Sequence, residues 1–159
     1  MKKAIIISFV AVVAIAIGAF FLWPRAEGVK QVNTTADNIA IKGFDTVAYF
    51  SNSDVVQGNP DFKFVWKGAT WLFSSATNLE KFKSDPESFA PQFGGYCSWA
   101  VSHGYIADGD PTAWKIVEGK LYFNYNQKVK EKWEAEQDSL IGIGKANWEQ
   151  FKVKKPVKK

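Results

Sequence analysis

A run of twenty residues near the start of the chain, 4–23, contains no charged side chain and only one polar one, Ser8. With a rise of about 1.5 Å per residue, a helix of this length spans the roughly 30 Å hydrocarbon core of a bilayer. Trp23 lies where an interfacial aromatic side chain would anchor such a helix, and Pro24 ends it. The sequence therefore predicts an N-terminal membrane anchor over residues 1–24.

The alternative for this segment is a cleavable signal peptide. The apolar stretch of such a peptide is shorter, about 7–15 residues, and ends in small residues at the cleavage site. Ala16 and Gly18 offer such a site, although cleavage there would leave bulky aromatic residues near the new N terminus. With Lys2 and Lys3 before the run, we expect an anchor in the bacterial inner membrane with the domain facing the periplasm. Cleavage would instead release the domain into the periplasm.

The formal net charge of +4 is carried by the two ends of the chain. Seven lysines lie in residues 1–3 and 152–159, which leaves 13 of the 20 basic residues against all 16 acidic ones, so residues 4–151 carry −3. A nucleic-acid-binding domain needs basic side chains gathered on a folded face, so we expect no nucleic-acid partner. The basic end is predicted to be a solvated tail, with contact to anionic lipid as the alternative.

The single cysteine and the single histidine exclude several classes of protein. The chain can form no intrachain disulfide, no Cys-x-x-Cys redox or metal motif, and no site that needs two of its own imidazoles. It also lacks the Gly-x-Ser-x-Gly, His-Glu-x-x-His, phosphate-loop and dinucleotide motifs. We therefore predict that the protein is not an enzyme, with a thiol-dependent enzyme as the least favoured alternative.

Behind the anchor, the chain is predicted to consist of a linker, a folded domain and a basic tail. Residues 25–37 lack strong periodicity, which is typical of a linker. Residues 38–151 contain the strand and helix patterns, and residues 152–159 form the tail. Aromatic residues make up 16% of the chain, and we assign most of them to the core of the domain.

Two segments of the domain have the pattern of β-hairpins. Phe62, Phe64 and Trp66 alternate with other residues at strand spacing, and Gly68 turns the chain back. Residues 116–123 form the second candidate hairpin, around a Glu-Gly turn. Two hairpins with helices after them predict an α+β fold: a small domain of β-hairpins and short helices behind an N-terminal transmembrane or signal helix.

Capping residues mark the helices that follow the first hairpin. Ser74 or Ser75 is placed to cap the next helix, because either side chain can accept a hydrogen bond from a free backbone N–H in its first turn. Asp85 followed by Pro86 is a start signal for a further helical turn. These signals predict two short helices between the hairpins.

One segment, 93–105, has chemical character, since it holds both Cys97 and His103. Gly94–Gly95 can adopt backbone angles closed to other residues, so the chain is predicted to turn sharply before the cysteine. A helix starting there would place the thiol at the positive end of the helix dipole. We therefore expect a partly accessible thiol whose pKa lies below the ordinary value of about 8.5.

Cys97, His103 and Tyr96 are the predicted metal ligands, with copper or zinc as the metal. Six helical residues turn the chain by about 600°, so Cys97 and His103 would point about 120° apart unless the helix breaks near Ser102. The alternatives are a buried cysteine that acts as a small hydrophobic residue and a histidine that lies on the surface.

Four stretches together resemble a YHS-domain protein of the single-domain, exported or membrane-anchored bacterial branch. They are Gly43-Phe44-Asp45-Thr46-Val47-Ala48-Tyr49-Phe50, residues 68–75, Asp85-Pro86-Glu87 and Gly94-Gly95-Tyr96-Cys97. The resemblance spans residues 38–133. Relatives occur as small modules in copper-transporting ATPases and multicomponent monooxygenases and are generally taken to bind metal, which implies a metal-binding role here.

The chain departs from the metal-binding pattern of that family at three positions. The ATPase-type module resembles Asp-Pro-Val-Cys followed later by Cys-Ser-x-x-Cys, and the matching cysteine positions here are Ala48, Ser74 and Asn78. Thiolates are the ligands that select Cu(I) or Zn. The resemblance therefore implies the framework and Cys97, but not the three-cysteine site.

As a whole, the sequence predicts a membrane-tethered YHS-like binding module for a metal ion or metal cofactor, bound through Cys97 and its neighbours. Residues 4–23 make the membrane contact, and a membrane protein is the expected partner. The alternative is a protein-interaction module in which Cys97 is buried and inert. Accessibility of the thiol discriminates the two, because only the first needs a reachable sulfur.

Overall fold

The structure, a computed structural model, describes residues 28–51 and 55–153. These residues form two antiparallel two-stranded sheets and a set of short helices, so the predicted α+β fold is confirmed. The predicted anchor over residues 4–23 and the last six residues of the basic tail lie outside the described residues. Within the described ranges, no helix is both long and apolar enough to cross a membrane.

The elements follow one another with short connections. In chain order they are α1 (Ala48–Ser51), β1 (Asn59–Trp66), β2 (Ala69–Phe73), α2 (Ala76–Ser84), α3 (Pro86–Phe89), α4 (Ser98–Ser102), β3 (Asp110–Val117), β4 (Lys120–Asn124), α5 (Gln127–Glu134) and α6 (Gln137–Phe151). Two 3₁₀ turns, Ile41–Gly43 and Gln92–Gly95, lie shortly before α1 and α4.

Both predicted hairpins are present, and both close through the same type of turn. β1 pairs with β2, and β3 pairs with β4. The two-residue turns are Lys67–Gly68 and Glu118–Gly119, and all four of these residues have positive φ, between 48° and 72°. Turns of this type match the right-handed twist of the strands. Glycine is favoured in them because their central residues need a positive φ.

The helices begin at the predicted caps. Ser75, rather than Ser74, accepts a hydrogen bond from the backbone N–H of Asn78 at the start of α2. Asp85 accepts one from the N–H of Ser88, with proline at the start of α3. Each bond satisfies a backbone donor that the helix itself leaves unpaired.

Aromatic side chains fill the core, as the sequence analysis predicts. Trp71, Phe73 and Phe82 are almost completely buried, and the centroid of the Phe82 ring lies 4.9 Å from those of both Trp71 and Phe73. A second cluster packs between the second hairpin and α6; its larger members are Phe93, Tyr122, Trp133 and Phe151. Burial of this apolar area is the main stabilising contribution to such a fold.

Part of the predicted linker, 25–37, packs against the domain. From residue 28 onward the chain is described, and Val32 is only 4% exposed. The N–H of Asn33 donates to the carbonyl oxygen of Gly94 over 2.8 Å. A buried apolar side chain and a long-range backbone hydrogen bond hold this stretch in place.

The longest helix among the described residues, α6, was not identified in the sequence. Its interior contains Gly142 and Gly144, which lower helix propensity. The structure explains the second glycine, because a Cβ at Gly144 would lie 2.8 Å from the ring of Phe93. Asn147 ties the helix to α4 by donating to the carbonyl oxygens of Val101 and Ser102.

Candidate functional site

The carboxylate of Asp45 lies fully buried just before α1. Its Oδ1 accepts hydrogen bonds from the backbone N–H groups of Val47, at 2.9 Å, and Ala48, at 3.4 Å. These donors lie at the start of the short helix, where backbone N–H groups lack helical partners. Asp45 therefore fixes the direction in which α1 leaves the preceding turn.

The other carboxylate oxygen of Asp45 bonds to residues that follow the first hairpin. Oδ2 accepts from the backbone N–H of Ser74 at 2.8 Å, from its hydroxyl at 2.6 Å, and from the side-chain amide of Asn78 at 2.7 Å. The negative charge is thus held inside the protein by five neutral donors. We call Asp45, Ser74 and Asn78 the Asp45 cluster.

Ser74 and Asn78 of the Asp45 cluster, together with Ala48, stand where the ATPase-type module carries its cysteines. Ser74 and Asn78 donate to the Asp45 carboxylate through their side chains, and Ala48 donates through its backbone N–H. A soft metal ion needs deprotonated thiolate ligands, whereas a hydroxyl and an amide turn their hydrogens towards Asp45. The residues present therefore do not fit the thiolate-bound metal that the resemblance implies.

Cys97 is in the predicted place but not in the predicted state. It directly precedes α4, as expected, but it is only 1% exposed. Burial raises the pKa of the thiol, and the backbone N–H groups of Ala100, Tyr125 and Trp99 lower it by less. The expectation of a partly accessible thiol with a lowered pKa is wrong, because desolvation exceeds the effect of a helix of only five residues.

His103 lies at the other end of α4, on the surface. Its ring stacks on that of Trp99 at a centroid distance of 4.2 Å, and its Nδ1 lies 2.8 Å from the carbonyl oxygen of the same residue. Tyr96 is buried, which raises the pKa of its hydroxyl, and its ring packs near that of Trp148. Each of the three predicted ligands thus has its own neighbours. Over the part of the chain that the structure describes, no group of three or more His, Cys, Asp or Glu side chains could hold a metal ion.

The second hairpin and the helix α4 repeat the Asp45 arrangement, but the hydrogen-bond acceptor now lies at the end of the hairpin instead of before the helix. Asn124, at the end of β4, accepts a hydrogen bond from the N–H of Trp99 at 3.1 Å, and the sulfur of Cys97 lies 3.9 Å from the same oxygen. In the first unit the acceptor precedes the helix, and in the second it ends the hairpin. Cys97 therefore corresponds in place to Asp45, and it packs as part of the fold.

The sequence analysis did not identify Asp45 as a site residue. Two signals point to it: a carboxylate inside the apolar stretch 44–50, and the polar pair Ser74 and Asn78 four residues apart. A spacing of four places side chains on one face of a helix. Only the fold shows that the three residues meet.

A protein-family match covers part of the chain and begins two residues after Asp45. The family described as YHS domain matches residues 47–93. The matched segment runs from the start of α1 to the turn before Cys97, and it includes Ser74 and Asn78. No curated protein and no solved structure matches the chain. The YHS match thus covers the first hairpin and the helices α1 to α3, and it ends before Cys97, the only cysteine in the sequence.

Proposed function

We propose that this chain is a YHS-like binding module that keeps its fold without a metal ion and acts by binding a protein partner at the membrane. The observation that supports it is the Asp45 cluster, where Ser74 and Asn78 stand at two of the family's cysteine positions and donate hydrogen bonds to the Asp45 carboxylate. Residues 4–23 would tether the module to the bacterial inner membrane, with the domain facing the periplasm.

The bonding capacity of Asp45 supports a structural role for the cluster. A carboxylate offers about four lone-pair positions, and five donors already converge on the two oxygens of Asp45. The hydroxyl of Ser74 donates to that carboxylate, and the amide of Asn78 donates to the carboxylate and to the oxygen of Ser74. These hydrogen bonds connect α1, the end of β2 and α2.

The state of Cys97 supports the same reading. A cysteine binds a metal ion as the thiolate, and the buried thiol of Cys97, whose pKa is raised, resists losing its proton. A site built on Cys97, His103 and Tyr96 would also need an exposed imidazole and a buried sulfur to face one ion. We therefore favour the interaction module over the metal module that the sequence predicts first.

The test is elemental analysis of the full chain, purified natively without added metal. We expect copper and zinc well below one ion per chain, both in the wild type and in Cys97→Ala. We also expect the triple variant Ala48→Cys, Ser74→Cys, Asn78→Cys to gain zinc or copper, because it places thiolates at the three cysteine positions of the ATPase-type module. Stoichiometric metal in the wild type that disappears in Cys97→Ala would refute the proposal.

A further inference from the structure

A cleft of about 460 Å³ opens between the first hairpin and α6. Trp66 and Trp71 line it from the hairpin, Trp148 from the helix, and Gln31 from the N-terminal stretch. Its volume falls within the range of roughly 300–1,000 Å³ that is usual for small-molecule sites. None of its lining residues belongs to the Asp45 cluster or is Cys97.

The walls of the cleft are aromatic and held in place by packing. Trp71 is 2% exposed, whereas Trp66 and Trp148 are only half-buried. The ring of Trp66 lies 5.6 Å from that of Trp71, and the ring of Trp148 lies 6.3 Å from that of Phe93. Aromatic faces that are fixed before binding favour a flat apolar ring at a small loss of conformational entropy.

The charges on the rim favour an anion. Lys67 is paired with Glu87 at 2.7 Å, and Lys152 is paired with Glu149 at 2.6 Å. Lys145 also lines the cleft and has no ion-pair partner among the residues that the structure describes. The two Lys–Glu pairs cancel, so the cleft carries one uncompensated positive charge.

We propose that this cleft binds a small planar aromatic acid, with its ring against Trp148 and its carboxylate towards Lys145. The inference rests on the proposed function only in treating the chain as a binding module. It does not depend on whether the protein holds a metal. The two proposals can therefore fail separately, provided that binding is measured in the presence of a chelator.

The test is a calorimetric titration of the full chain in detergent with 2-naphthoate, with the titration into detergent alone as the blank. We expect saturable binding that is about fivefold weaker in Lys145→Gln, the loss that one solvated charge pair gives. The matched control is Lys128→Gln, which removes an exposed lysine of α5 outside the cleft and should leave Kd unchanged. The neutral 2-naphthylmethanol should bind wild type and Lys145→Gln equally.

A second variant tests the position of the ligand. Gln31→Trp adds an indole from an exposed position on the cleft wall, so it should block binding while the protein stays folded. In two-dimensional nitrogen–proton NMR correlation spectra, the indole N–H signals of Trp66 and Trp148 should shift on titration with 2-naphthoate. The proposal is overturned by absence of saturable binding, by equal Kd values in wild type and Lys145→Gln, or by undiminished binding in Gln31→Trp.

Discussion

At the residue scale, Asp45 joins two parts of the chain that are far apart in sequence, the start of α1 and the segment from Ser74 to Asn78. Its two oxygens accept from the start of α1, from Ser74 after the hairpin, and from Asn78 in α2. Each buried donor that loses its acceptor costs about 1–3 kcal/mol, because its hydrogen bond to water is not restored. The stability of the part of the fold formed by α1, the first hairpin and α2 should therefore depend strongly on this one side chain.

We expect Asp45→Asn to lower the free energy of unfolding by about 3 kcal/mol, measured by urea denaturation of the full chain. The new amide group would turn a donor towards Ser74 or towards the start of α1, whose N–H groups are themselves donors that need the acceptor oxygens of Asp45. Asp37→Asn, which changes an exposed carboxylate in the same way, is the control and should change stability by no more than about 0.5 kcal/mol. Equal effects of the two changes would show that the Asp45 cluster does not contribute to the free energy of unfolding.

Gly95 gives a second test at this scale, because two separate requirements meet there. Its φ is +82°, and a Cβ would collide with the side chain of Ile41. Gly104 has a φ of +83° but open space around it, so Gly104→Ala measures the backbone strain alone. We expect a loss of about 1 kcal/mol for Gly104→Ala and about 3 kcal/mol for Gly95→Ala in the same unfolding measurement. Similar losses for both variants would contradict the close packing at Gly95.

At the scale of elements, the helix α4 is too short to offset the effect of burial on the pKa of Cys97. The helix has only five residues, and the thiol before it is 1% exposed, so burial governs its pKa. Asn124 approaches the sulfur from the end of β4 and completes its surroundings. This environment is that of a packed core residue.

We therefore predict that Cys97 reacts with a thiol reagent only when the protein unfolds. The labelling rate at neutral pH should be far below that of a free thiol and should rise with urea along the unfolding transition. His103→Ala is the control: it removes an exposed imidazole and should leave the rate unchanged. Fast labelling of the folded chain would restore the accessible-thiol hypothesis.

Local patterns predicted the elements better than they predicted the site. The alternation of Phe62, Phe64 and Trp66, the turn glycines and the caps at Ser75 and Asp85 all act over a few residues, so the sequence shows them directly. The Asp45 cluster could not be read in this way, because its members are brought together by tertiary structure. The burial of Cys97 was only the alternative in the prediction for the same reason: it depends on β4, which lies far along the chain.

At the scale of the whole molecule, one buried thiol and three buried phenols share one property. Burial raises the pKa of Cys97, Tyr49, Tyr96 and Tyr122, and nearby carboxylates add to the effect for the three tyrosines. The folded protein therefore keeps these protons at a pH where the unfolded chain releases them. Their contribution to stability is complete below the ordinary values, about 8.5 for the thiol and 10 for the phenols, and is lost above them.

We accordingly expect the free energy of unfolding to fall between about pH 8.5 and pH 11. Urea denaturation at several pH values across that window measures the fall. Tyr49→Phe should make the fall shallower, since it removes one of these groups, although it also loses the hydrogen bond from the hydroxyl to the carbonyl oxygen of Pro111. A stability that stays constant, or rises, over this window would contradict the burial of these groups.

The central claim is that this YHS-like module folds without metal, and the thermal midpoint of the full chain tests it most directly. Tm should be the same after treatment with a chelator as it is after addition of Zn(II), or of Cu(I) under reducing conditions. Ser74→Ala should lower Tm equally in all of these conditions, because it weakens a hydrogen bond to Asp45 and not a metal site. A rise of several degrees on adding metal, lost in Cys97→Ala or Ser74→Ala, would contradict the account.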